Sequence, residues 1–95
     1  MTAESLRKQI AFLDTKVRDL DISVRTYNTL RRIGIETVNE LVQMKVGDLL
    51  KFRDFGKKSL IELENLLSEN DLSFGTNPEA IKSVYEVFMS GLYSN

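Results

Sequence analysis

No cysteine and no histidine occur in the chain. Their absence removes disulfides, thiolate nucleophiles, imidazole acid–base catalysis and the usual zinc sites in one step. Long apolar runs are missing too: uninterrupted apolar stretches last only a few residues, too short to span a bilayer, and the first residues lack the apolar core of a signal peptide. The chain therefore reads as soluble and cytoplasmic, with no membrane partner. No segment has the strict apolar–polar alternation of a half-buried strand. Acidic residues are plentiful, but they are scattered along helix surfaces rather than clustered, so no metal-dependent hydrolytic centre and no base, nucleophile and oxyanion donor can be assembled. No catalytic residue, metal or cofactor is expected.

What remains is 95 residues with 42% apolar content, one small domain with a modest core and room for one site. The net charge of −1 argues against a protein that coats nucleic acid, yet it conceals a segregation along the chain. Residues 22–60 hold eight Lys or Arg against four acids, whereas residues 61–95 hold one Lys against six acids. The local field of the basic middle matters more than the total.

That basic stretch contains a turn written twice. Leu30-Arg31-Arg32-Ile33-Gly34 recurs as Phe52-Arg53-Asp54-Phe55-Gly56, and Val38 and Leu41 follow the first glycine as Leu60 and Leu63 follow the second, a repeat of 22 residues. Each copy reads as helix, tight glycine turn, second helix, and the second helix of each unit presents free backbone N–H groups at its start, where a phosphate can be held. One glycine turn alone is an ordinary helix C-cap. Two in register, both flanked by Arg or Lys, point to a helix-hairpin-helix pair that grips a nucleic-acid backbone.

The remaining elements follow from spacing and caps. Leu6, Ile10 and Leu13 predict a helix from about Ala3 to Asp14, followed by an extended entry segment. Ser23 is a good N-cap for a helix to about Ile33 that Gly34 ends, with Ile22 and Tyr27 spaced as a hydrophobic staple. Thr37 and Glu40 form a capping-box pair that opens a short helix to Gln43, and another short helix is expected near Val46 to Phe52. The longest helix should follow Gly56, with Leu60, Leu63, Leu66 and Leu67 inward and Asn70 at its exit. Gly75 marks a turn, and Pro78 starts a last amphipathic helix with Ile81, Val84, Tyr85, Phe88 and Leu92 on one side. Tyr27, Phe52, Phe55 and Phe74 sit at apolar positions and are expected in the core. The fold class is all-α: a compact bundle of short helices with tandem helix-hairpin-helix motifs and flanking N- and C-terminal helices.

Two local patterns suggest a site. Arg25, Asn28, Thr29 and Arg32 fall at i, i+3, i+4 and i+7 and share one polar, basic helix face. After Gly56, Lys57, Lys58 and Ser59 occupy the first helical turn while Glu62, Glu64 and Glu69 lie further along, the reverse of what the helix dipole prefers. An anion held between the helix start and the lysines removes the conflict. Lys58 and Glu62 are also spaced for a plain i, i+4 ion pair.

At Ser23-Val24-Arg25-Thr26-Tyr27-Asn28-Thr29-Leu30, Asp48-Leu49-Leu50-Lys51-Phe52 and Phe55-Gly56-Lys57-Lys58-Ser59-Leu60, the chain resembles the C-terminal domain of the bacterial RNA polymerase alpha subunit. The likeness covers about Leu13 to Gly75. It implies a non-catalytic domain that binds A/T-rich upstream promoter DNA at the minor groove and backbone, in the cytoplasm at the nucleoid, and that contacts RNA polymerase, sigma factor and transcription activators. By position, Arg25 resembles the arginine that enters the minor groove, with Asn28 reaching the groove or its edge and Thr29 standing where many members have cysteine. Gly56, Lys58 and Ser59 resemble the backbone-contacting group, and Glu62 the edge of that surface, orienting Arg25 or Lys58. Asp19 and Asp21 match the acidic patch that faces sigma, and residues 45–48 fall where activators dock in some members. The other reading is a protein-interaction module or regulator of the same fold with little DNA affinity.

The expected organisation is an N-terminal helix or linker over residues 1–14, the DNA-binding domain over 15–75 and an amphipathic helix over 76–95. The large assembly domain of the subunit lies outside this sequence, which opens on Met1, so the chain reads as an excised piece or a free-standing relative. The last helix is expected to pack on its own domain; the alternatives are an activator surface or a weak homodimer through the terminal helices.

Overall fold

Thr2 accepts the amide hydrogen of Ser5 at 3.1 Å and opens α1, Ala3–Leu13, in the computed structural model. The structure describes residues 2–93, the side chains of 92 and 93 excepted, so the expected inward place of Leu92 lies outside the described residues. Along α1 the heptad-like spacing turns Leu6 and Leu13 inward to full burial. The entry segment that follows is not purely extended. Val17–Asp19 forms a single 3₁₀ turn, because Val17 is drawn into the core while its amide bonds Glu36 O at 2.8 Å and the Val38 amide bonds Thr15 O at 3.0 Å.

Ser23 caps α2, Val24–Arg32, by accepting the Thr26 amide hydrogen at 3.2 Å. Its end is a Schellman motif: Gly34 takes φ +85°, the Ile35 amide bonds Leu30 O at 2.9 Å and the Gly34 amide bonds Arg31 O at 3.1 Å. Leu30 and Ile35 are both buried, so the turn delivers the backbone into the core again. Thr37 then caps α3, Val38–Gln43, through the Glu40 amide at 3.2 Å. Only half of the capping box forms, since the Glu40 carboxylate accepts from the Thr37 hydroxyl rather than from its amide. The next helix, α4, is one turn, Val46–Leu49, shorter than expected, and the backbone runs on through turns to Gly56.

The second copy of the repeat departs from the first at its glycine. Gly56 has φ −95° and ψ 169° and is itself the N-cap of α5, Lys57–Glu69, whereas α3 is capped by Thr37, after Gly34 and its neighbours have turned the backbone. The second helix of the second copy thus begins at once. Leu41 and Leu63 still match, both fully buried. The positions before the glycine exchange roles: Leu30 is buried but Phe52 is 38% exposed, while Phe55 is buried where Ile33 is half-buried. Phe52, expected in the core, therefore lies at the surface, because the one-turn α4 leaves it in the loop and Phe55 fills the core instead.

α5 buries Leu63 and Leu67 fully, each worth about 1.5–3 kcal/mol by transfer from water, with Leu60 and Leu66 half-buried. At its exit Asp71, not Asn70, takes the left-handed conformation (φ +59°), and the Leu72 amide bonds Leu67 O at 2.8 Å. The far end of α5 is held by α1, where Lys8 Nζ donates to Glu69 O at 2.8 Å and Gln9 Nε2 to Asp71 O at 2.5 Å. Gly75 (φ +79°) and Thr76 donate to Met44 O and Val42 O, which ties the turn to the end of α3 and launches α6, Pro78–Tyr93. At 16 residues α6, and not the 13-residue α5, is the longest helix among the described residues, because no left-handed turn interrupts it as the one at Asp71 ends α5.

α6 lies along α1 and touches α3, with Arg7 Nε donating to Tyr85 Oη at 3.0 Å. Its expected apolar face is only partly covered: Ile81 packs on the core, but Val84 and Phe88 are exposed, as is Val87. The core itself joins Leu13, Val17, Leu30, Val38, Leu41, Leu49, Phe55, Leu63 and Leu67 from every element before α6. Among the described residues no helix is long and apolar enough to cross a membrane.

Candidate nucleic-acid interface

Thr26 on α2 and Ser59 on α5 are both buried, and the Thr26 hydroxyl donates to Ser59 Oγ at 2.8 Å. This contact joins α2 to the first turn of α5, at residues that directly follow Arg25 and Lys58 in the sequence.

On α2, Val24, Arg25, Asn28, Thr29 and Arg32 line one shallow depression together with Asp54. Arg25 and Asn28 are exposed. Thr29 is 3% exposed and its hydroxyl donates to Arg25 O at 3.0 Å, so it shapes the floor behind the two reaching side chains. Arg25 has no ion-pair partner among the described residues, which leaves its guanidinium free for an external anion or acceptor.

On α5, Gly56 offers no side-chain cap and the first turn holds no acid. The amides of Lys57, Lys58 and Ser59 have no acceptor among the described residues, and both lysines are exposed. Uncapped amides under two cations make a strong local preference for anions. The Ser59 side chain faces inward to Thr26, so what this residue offers outward is its backbone N–H.

Glu62 has other partners than the two its sequence position suggested. It pairs with neither Arg25 nor Lys58 among the described residues; Oε1 accepts the Ser23 amide hydrogen at 2.5 Å and Oε2 accepts from the Ser23 hydroxyl at 3.1 Å. A carboxylate from α5 therefore caps α2, whose own first turn holds no acid. Asp19 and Asp21 are exposed, on and just after the 3₁₀ turn that leads to this cap.

Sequence reading missed Asp54. Its carboxylate pairs with Arg32 at the edge of the α2 depression, with the two side chains 55% and 60% exposed. The signal was present, since Arg32 and Asp54 hold the same place in the two copies of the 22-residue repeat.

The family of the C-terminal domain of the bacterial RNA polymerase alpha chain matches residues 3–69. The DNA-directed RNA polymerase subunit alpha of Bacteroides fragilis is 55% identical over 65 residues, covering 68% of this sequence and 20% of that protein. Those of Chlorobium phaeobacteroides and Cytophaga hutchinsonii are 50% identical over 72 residues and 49% over 70, covering 76% and 74% of this sequence and 21% of each relative. The chain thus spans about a fifth of the length of these relatives. With α1 to α5 inside the match, the chain belongs to the family of C-terminal domains of the bacterial RNA polymerase alpha subunit.

Proposed function

We propose that this domain binds A/T-rich upstream promoter DNA without catalysis, in the cytoplasm at the nucleoid. Arg25 and Asn28 read the minor groove, and the amides of Lys57, Lys58 and Ser59 with the Lys58 ammonium hold the backbone. The observation that carries this is the Thr26–Ser59 contact, which joins the helix of the exposed Arg25, without an ion-pair partner among the described residues, to an uncapped helix start beneath two lysines. A narrow A-tract groove has enhanced negative potential that attracts an inserted arginine, while helix starts and lysines set register on phosphate. A protein-only role gives no reason for leaving α5 uncapped with bases at its positive end.

The acidic Asp19 and Asp21 are proposed to face sigma factor, and residues 45–48 an activator, so that the domain links DNA to RNA polymerase. Through α6, where Val87 is 72% exposed, a weak homodimer is also proposed, which sedimentation would register as mass rising with concentration. The test of the main proposal is titration of an A-tract duplex and a G/C-rich duplex across salt. Preference for the A-tract, with affinity falling as salt rises, is the expected result; equal binding to both sinks the groove assignment.

A further inference from the structure

Among the described residues Asp54 is the one acid lining the α2 depression, and it stands two residues before Gly56, the N-cap of α5. A carboxylate there opposes any polyanion that approaches either surface. Its charge is met by Arg32, two helical turns beyond Arg25 on the same face of α2. At 1.5 Å per residue the two arginines are about 10 Å apart along the axis, wider than a minor groove of about 6 Å. A helix that lies across the groove with Arg25 inside it therefore carries Arg32 over the phosphate wall, where no base edge is in reach.

We infer that Arg32 is a further DNA-binding residue, and that Asp54 is its internal counter-ion in the free protein, displaced by a backbone phosphate when DNA binds. The inference rests on the DNA-binding reading above. Both side chains are more than half exposed, and an exposed ion pair is weak enough to open easily. The guanidinium fork that holds a carboxylate suits a phosphate as well, with no change in its own geometry. Asp54 thus lowers affinity without blocking the site, and it does so for every sequence alike, because the exchange involves phosphate only.

The experiment uses the 95-residue protein with A-tract and G/C duplexes. Asp54→Asn is expected to tighten binding to both about two- to fivefold and to steepen the salt dependence by about one unit of slope. Arg32→Ala is expected to weaken both, and Asp54→Asn added to it gains less than it gains in the unmodified protein. In the unmodified protein the Arg32 Nε–H resonance should move on saturation with duplex. No tightening by Asp54→Asn, an equal gain without Arg32, or an unmoved Arg32 resonance overturns the inference. If Arg25→Ala and Lys58→Ala still weaken binding in that event, the DNA-binding reading stands alone; if they too have no effect, both fall. The pair lies at the surface, so unchanged far-UV spectra and urea midpoints will show that the variants are folded.

Discussion

Glu62 of α5 and Ser23, the N-cap of α2, are joined by two hydrogen bonds across 39 residues, one from the Ser23 amide and one from its hydroxyl. The groove-reading helix is thereby anchored at its start to the helix proposed to hold phosphate. A carboxylate that accepts a backbone amide at a helix N-terminus gains both a charge-assisted hydrogen bond and the favourable end of the dipole.

Glu62→Gln keeps the shape and one acceptor but removes the charge, and is expected to destabilise the domain by about 1 kcal/mol; Glu62→Ala removes both bonds and should cost about 1–3 kcal/mol. Urea unfolding at neutral pH measures both. The loss should be accompanied by faster amide exchange at residues 24–27 and weaker A-tract binding, because α2 loses its register on α5. A stability loss with unchanged exchange in that turn would show that Glu62 does not hold α2.

The two repeat glycines should respond unequally to alanine. Gly34 has φ +85° with nothing within 4 Å of where an added methyl would sit, so Gly34→Ala meets backbone strain rather than a clash, about 1–2 kcal/mol. Gly56 is extended at φ −95° with the same open surroundings, so Gly56→Ala should change stability by less than about 1 kcal/mol. Urea midpoints for the pair give the comparison. A larger loss at Gly56 than at Gly34 would contradict the backbone assignment.

That asymmetry shows where sequence reading reached and where it stopped. Caps and periodicity are local, so Ser23, Thr37, Gly34 and the starts of α1 and α6 were legible, as were Leu63 and Leu67 as core. The repeat, however, promised equal turns, and only tertiary packing decides that Phe55 rather than Phe52 enters the core. Contacts between elements were illegible for the same reason. Glu62 capping a helix 39 residues away and Asp54 neutralising Arg32 across 22 residues leave no periodic trace; that Arg32 and Asp54 hold the same place in the two copies does not by itself say that they touch. The polar face of α2 was legible because helical spacing alone brings Arg25, Asn28 and Arg32 together.

Arg25 and Lys58 should separate groove reading from backbone holding. Arg25→Ala is expected to remove most of the preference for an A-tract over a G/C duplex, because it is the side chain placed to sense groove potential. Lys58→Ala should weaken both duplexes alike and reduce the salt slope by about one. Fluorescence anisotropy over a salt series distinguishes them. Identical losses of preference in the two variants would mean that the surfaces do not divide the work in this way.

Gly56→Ser sets helix stability against DNA binding at a single atom. Ser23 and Thr37 cap α2 and α3 by accepting amide hydrogens of the first turn, and Gly56, with an extended backbone like theirs, has no side chain to do so for α5. A serine side chain there meets nothing within 4 Å of its Cβ, and its hydroxyl can accept the Lys58 or Ser59 amide, stabilising the domain by about a few tenths of a kcal/mol. The same bond consumes an amide that the proposed interface leaves for phosphate, so DNA affinity should fall as the urea midpoint rises. Lys57 and Lys58 stay in place, which removes loss of charge as an explanation. A variant that gains stability and binds DNA as tightly as before would show that phosphate is held by the lysine charges alone, with no part played by the helix start.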